Sequence, residues 1–199
     1  MLFRSVSGTQ PDLMSVDWSK IPAPIDDGAA KHLAGAMVAD VLLPATDGTQ
    51  ISLAKLAGRT VVFAYPRTGT PGQISLVDDW DMIPGARGCT PQSCAFRDLH
   101  SELTSAGAVR VFGLSTQDRD YQSELADRLH LPFPILSDAA LAFSTAMRLP
   151  MMHVAGLTLI KRMAIIIDNA RITHVFYPVF PPDRNASDVL AWLTQNPIK

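Results

Sequence analysis

From residue 38 onward, short apolar runs exchange with segments of helical period, and this exchange restricts the chain to few architectures. Val38, Val41, Leu42 and Leu43 precede a turn at Asp47-Gly48. Residues 51–57 then lead into the compact run 60–65, where Val61, Val62 and Phe63 read as a buried central strand. Thr90 followed by Pro91 has the form of a helix cap and first helical residue. Phe96, Leu99, His100 and Leu103 continue at helical spacing to Gly107, so a helix is expected to start at the first cysteine. Residues 109–115 read as a strand, 121–129 as an amphipathic helix, 133–136 as a short strand and 139–147 as a further helical turn or two. Residues 157–167 and 171–177, joined by Asp168-Asn169-Ala170, suit an antiparallel hairpin. Ser187 is expected to cap a last helix through Trp192. The sum is an α/β chain with a mixed central sheet covered by helices.

At 199 residues and 47% hydrophobic content, the chain is long enough for one well-buried core and short for two. Residues 1–34 are mixed in polarity and broken by Pro11, Pro22, Pro24 and Gly28. They read as an arm packed on a domain of residues 35–199. The 19 acidic and 17 basic residues are interspersed, without the basic stripe that a phosphate backbone needs, so nucleic acid is not expected as a partner. No apolar run approaches the roughly 18 to 20 residues that span a bilayer. Arg4 is followed by Ser5, Ser7, Gln10, Pro11 and Asp12, which leaves no apolar signal-peptide core, and a cytoplasmic location is expected.

The chain has two cysteines, Cys89 and Cys94, too few for the disulfide framework of a small secreted protein. Cys89 stands just before the expected helix. There, unpaired backbone N–H groups and the helix dipole favour negative charge on sulfur. Two small buried apolar thiols would be an equally good reading of cysteine count alone. Context separates the two readings. Tyr65-Pro66-Arg67-Thr68-Gly69-Thr70-Pro71-Gly72 follows the buried strand, and Gly88-Cys89-Thr90-Pro91-Gln92-Ser93-Cys94-Ala95-Phe96-Arg97-Asp98 comes later. Gly113-Leu114-Ser115-Thr116, Leu136-Ser137-Asp138, and Lys161-Arg162 ahead of an apolar strand complete the series.

In the order and spacing of these motifs the chain resembles the peroxiredoxins, in particular the bacterioferritin-comigratory or Q-type branch. The resemblance runs from about Val38 to the C-terminus. It implies a thioredoxin-like fold and a thiol peroxidase that reduces hydrogen peroxide or organic hydroperoxides without metal or organic cofactor. Cys89 would be the peroxidatic thiol and Cys94 the resolving thiol that closes a disulfide with it. Pro66, Thr70 and Arg162 would be their supporting shell. Thr70 could donate to the thiolate or hold the peroxide, Arg162 would offer fixed positive charge, and Pro66 would limit solvent access. The resemblance further implies recycling by thioredoxin or a similar dithiol, and it favours a monomer over a dimer. A redox sensor or binding protein that uses the same disulfide as a switch is the rival from another class.

One departure stands out. The family places threonine three residues before the cysteine, whereas Thr70 lies nineteen residues before Cys89. A loop insertion of about Gln73 to Gly88 restores the pattern, with Pro84-Gly85 as an alternative edge. The insertion's Trp80, Met82 and Ile83 could cover an apolar substrate or simply anchor the loop. A metal site from Cys89, Cys94 and His100 is not expected, because His100 falls six residues after Cys94 on the same helix, where the side chains diverge. His32, His130, His153 and His174 are scattered and read as structural. There is no Cys-x-x-Cys for a general dithiol reductase, and no Gly-Lys-Ser/Thr ending for a phosphate loop.

Overall fold

The computed structural model describes residues 16–198, so the first fifteen residues of the expected arm lie outside the described residues. A short hairpin of β1 (Leu43–Pro44) and β2 (Gln50–Ile51) closes over Asp47, whose carboxylate accepts from the backbone N–H and hydroxyl of Thr49. Next come β3 (Arg59–Ala64), α1 (Cys89–Asp98), α2 (His100–Ser105), β4 (Arg110–Ser115) and α3 (Arg119–Leu129). The chain continues with β5 (Ile135–Ser137), α4 (Ala142–Met147), and the hairpin β6 (Met151–Val154) and β7 (Leu157–Ile160). It ends with β8 (Met163–Asp168), β9 (Arg171–Phe176) and α5 (Asn185–Gln195). Among the described residues no helix is long and apolar enough to cross a membrane.

The main sheet has the order β5-β4-β3-β8-β9. Its strands are parallel from β5 to β3 and antiparallel from β3 to β9. Every residue of β3 is buried, as expected for a central strand covered on both faces. Strand alternation divides its side chains. Val61, Phe63 and Tyr65 enter one core with residues of α1, α2, α3 and α5, while Val62 and Ala64 enter the other with α4. Phe63 stacks on Phe96 of α1 with centroids 4.2 Å apart and planes 6° from parallel, which fixes that helix on the sheet.

Several boundaries differ from the sequence reading. Helix α1 begins at Cys89 itself, with Gly88 as its cap, so Thr90 is already helical. The expected single helix to Gly107 divides at Leu99, where ψ turns to 11°. Residues 157–167 are not one strand. Lys161 and Arg162 interrupt them, β7 folds back on β6 in a hairpin that the apolar pattern did not reveal, and β8 alone pairs with β9. The turn Asn169-Ala170 has φ of 48° and 66°, suited to a tight antiparallel hairpin. Helix α5 starts at Asn185, after a 3-10 turn at Pro182–Arg184, and Ser187 donates its hydroxyl back to the Arg184 carbonyl rather than capping the helix.

Candidate active site

Strand β3 ends at Ala64, and after Tyr65 buried Pro66 begins the long loop that returns to the start of α1. Gly88 makes the return possible. Its φ is +103°, and a Cβ there would lie 2.5 Å from Pro182 and 2.7 Å from the Trp18 ring, so only glycine fits both the turn and the close approach. Trp18 is held over this point by an indole N–H bond to Asp183 and an edge-on contact with Phe180.

Both cysteines lie in α1 as buried free thiols, 4% and 8% exposed. Burial pushes the Cys94 thiol above its ordinary range. The Cys89 sulfur has two polar neighbours. It faces the Ala86 carbonyl at 3.6 Å, and it receives a hydrogen bond from Arg162 Nη2 at 3.1 Å. Arg162 is 2% exposed, and beside that sulfur its hydrogen-bond acceptors among the described residues are neutral carbonyl and amide oxygens. Nη2 has two protons and four acceptors within reach: the carbonyls of Gly85, Ala86 and Arg87 at 3.2, 3.1 and 3.0 Å, and the sulfur. Nη1 donates to the side-chain oxygen of fully buried Gln92, whose Nε2 in turn donates to Asn185 at 2.9 Å. A guanidinium so placed can stabilise negative charge on the sulfur and on an oxygen breaking away from it.

Thr70 and Cys89 line the same open cavity of about 1080 Å³, with Thr68, Arg67, Trp80, Pro91 and Tyr121 also in its wall. The Thr70 hydroxyl does not bond to the sulfur. It donates to the Tyr121 hydroxyl at 3.0 Å, and Tyr121 donates to the Thr68 carbonyl at 3.2 Å. A carbonyl can only accept, so the Tyr121 proton is committed to Thr68 and the Thr70 proton to Tyr121. Thr70 therefore faces the cavity as an acceptor. Thr68 is clamped by Gln117, which accepts from its N–H at 2.9 Å and returns a bond to its carbonyl at 3.1 Å. Arg67 rests over the Tyr121 ring, 5.3 Å from the centroid. The fold thus brings Arg162 to Cys89 and places Thr70 in the wall of the cavity that Cys89 lines, while Cys94 lies further along α1 and makes no hydrogen bond with Arg162 among the described residues. The end of the segment 73–88 is not peripheral: Ala86 is fully buried beside the sulfur, and Gly85 to Arg87 supply Arg162 with its carbonyls.

The Redoxin family profile matches residues 30–192, most of the chain. The chain belongs to the Redoxin family. Within it, the chain is 30% identical over 158 residues to peroxiredoxin Q, chloroplastic, of Oryza sativa subsp. japonica, covering 78% of this chain and 64% of that one. It thus spans less than two thirds of the rice protein's length. It is also 32% identical over 162 residues to a Mycobacterium tuberculosis (strain ATCC 25618 / H37Rv) protein named as a peroxiredoxin, covering 80% of this chain and 94% of the other. Among solved structures, peroxidoxin BcpB from Mycobacterium tuberculosis superposes with a TM-score of 0.66 at 28% identity, covering 83% and 98% of the two chains. Peroxiredoxin Q from Xanthomonas campestris has the same fold, with a TM-score of 0.63 at 24% identity over 79% and 91%. The expected thioredoxin-like fold and the resemblance to the Q-type peroxiredoxins are therefore both shown.

Within this Redoxin chain, Gln92, Asn185, Tyr121 and Gln117 are polar site residues that sequence reasoning missed. Gln92 lies inside the motif that carries the resemblance, and its spacing of three from Cys89 was a usable signal. Asn185 meets Gln92 across 93 positions, a pairing that no local pattern records.

Proposed function

We propose that the chain is a thiol-dependent peroxidase of hydrogen peroxide and organic hydroperoxides. The observation that carries this reading is the Arg162 guanidinium 3.1 Å from a buried sulfur, at the start of a helix that also holds the second cysteine. The Cys89 thiolate attacks the terminal oxygen of the hydroperoxide and the O–O bond breaks. Sulfur gains the oxygen as sulfenic acid, and the departing alkoxide or hydroxide takes up a proton. Arg162 stabilises the charge on the leaving oxygen, Thr70 accepts the O–H of the hydroperoxide, and Pro66 limits access of water. Cys94 then attacks the Cys89 sulfur and expels water, leaving the disulfide. A dithiol of the thioredoxin class reduces it through a mixed disulfide. The named peroxiredoxins among its relatives support this assignment, and the reading carries with it a monomeric, cytoplasmic enzyme without metal or organic cofactor.

The rival reading, a redox switch with little turnover, is favoured by one contact: Trp18 covers Gly88, so unwinding at Cys89 would also disturb residues 16–20. Steady-state peroxide consumption in the presence of thioredoxin, thioredoxin reductase and NADPH separates the two. The peroxidase sustains many turnovers and loses them in Cys89→Ser, whereas a switch stops after one equivalent.

A further inference from the structure

We infer that Asn185, the first residue of α5, is a positioning residue for the arginine at the reactive sulfur and acts through Gln92. This rests on the reading of Cys89 as the attacking thiol. Arg162, Gln92 and Asn185 are 2%, 0% and 1% exposed, so bulk solvent does not reach them. Their orientations follow from what each group can do. A guanidinium only donates, so Gln92 must turn its oxygen to Arg162 Nη1. The Gln92 amide nitrogen then points away from Arg162, and it finds the Asn185 oxygen at 2.9 Å. That arrangement leaves Asn185 Nδ2 buried without a partner among the described residues.

An orphaned buried amide costs free energy, and an apolar side chain would remove that cost. What asparagine supplies at this place is the single acceptor that keeps Gln92 from rotating. Arg162 needs that restraint, because among the described residues its Nε is also buried without a partner and its Nη2 protons are shared among four acceptors. Only the bond from Nη1 to Gln92 fixes the plane of the guanidinium from the other side. The C-terminal helix therefore sets the angle at which Nη2 meets the sulfur 3.1 Å away.

The test uses the full chain carrying Cys94→Ser, so that Cys89 reacts once. Two second-order rate constants are measured at pH 7: oxidation by hydrogen peroxide and alkylation by iodoacetamide. Asn185→Ala should lower both by about tenfold, the scale of a lost hydrogen bond in a charged network. Asn185→Asp, which keeps the acceptor and suits a helix N-terminus, should stay within about threefold of the parent. Gln92→Ala should be as slow as Asn185→Ala, and the double variant no slower than Gln92→Ala alone. If Asn185→Ala does not fold, Asn185→Ser and Gln92→Met make the same comparison. Parental rates in Asn185→Ala, or losses that multiply in the double variant, would overturn the relay. If the parent alkylates in this pattern but does not react with peroxide, the peroxidase reading fails while the relay stands.

Discussion

Arg162 is a buried cation whose hydrogen-bond partners among the described residues are neutral oxygens and the Cys89 sulfur, which can take up the compensating charge. Its positive charge therefore contributes to chemistry more than to folding. Exchange of a buried ion for an apolar chain of similar volume is often close to neutral for stability. Arg162→Met should slow the oxidation of Cys89 by at least about a hundredfold, the scale seen when a preorganised donor is removed from a reacting oxygen. Its melting temperature should move by only a few degrees. Stopped-flow measurement of the first oxidation step checks this, and an unchanged rate constant at pH 7 would refute the role. The contact between Arg162 and Cys89 joins two residues that the sequence singled out, because each stands in a short motif whose order along the chain is informative. Thr70 shares a cavity wall with Cys89, but the direction of its hydroxyl was not legible, because it depends on Tyr121, 51 positions away.

Helix α1 carries a conflict between its reduced geometry and the proposed disulfide. Five residues of helix advance about 500° and rise about 7.5 Å, so the two Cα atoms stand about 8.6 Å apart, beyond the roughly 7 Å that a disulfide bridges without backbone movement. Both cysteines lie in α1 when reduced, and so the helix must open locally for Cys94 to reach Cys89. Oxidation should lower helicity and raise amide hydrogen exchange across residues 90–97. Equal protection in reduced and disulfide forms would contradict the unwinding. The same element predicts a pH dependence. Because burial raises the Cys94 pKa, the thiol stays protonated through the neutral range, and disulfide formation after sulfenic acid should accelerate as pH rises toward and past its ordinary value of 9.0. That a helix starts near the first cysteine was readable from Pro91 and the apolar spacing. Its break at Leu99 was not, since Phe96, Leu99 and Leu103 keep the helical period across it. The charged pair Lys161-Arg162 could have marked the end of β7, but the apolar residues on both sides hid the interruption.

Across the whole molecule, the sheet and the last helix are tied by Arg59. Its guanidinium makes two bonds to Asp168 at 2.7 and 2.8 Å, a third to the Asn196 carbonyl at 2.6 Å, and lies over the Trp192 ring. Arg59 is nearly buried, and its removal would leave Asp168 without its main partner. Arg59→Met should cost about 3 kcal/mol in denaturant unfolding. The Arg59 guanidinium beside Asp168 also holds that carboxyl below its usual range, and Lys161 does the same for Asp27. Such groups bind protons more readily in the unfolded chain. Their contribution is complete above the unfolded value of about 3.9 and is lost as pH falls through the lower folded value. Arg59→Met should therefore flatten the acid limb of the stability curve below about pH 4. The central strand and the hairpin after Asp168 were legible because alternation and turn residues are local. Pairings such as Arg59 with Asn196, or Trp18 with Asp183, join distant parts of the chain and leave no periodic trace.

These scales meet at the disulfide. One equivalent of hydrogen peroxide added to the reduced protein, without reductant, followed by digestion and peptide mass mapping, reads it directly. The peptide of residues 88–97, which holds both cysteines, appearing two hydrogens lighter than its reduced form is the predicted result. That peptide at its full reduced mass, or carrying oxygen on Cys89 while Cys94 stays free, would contradict the account.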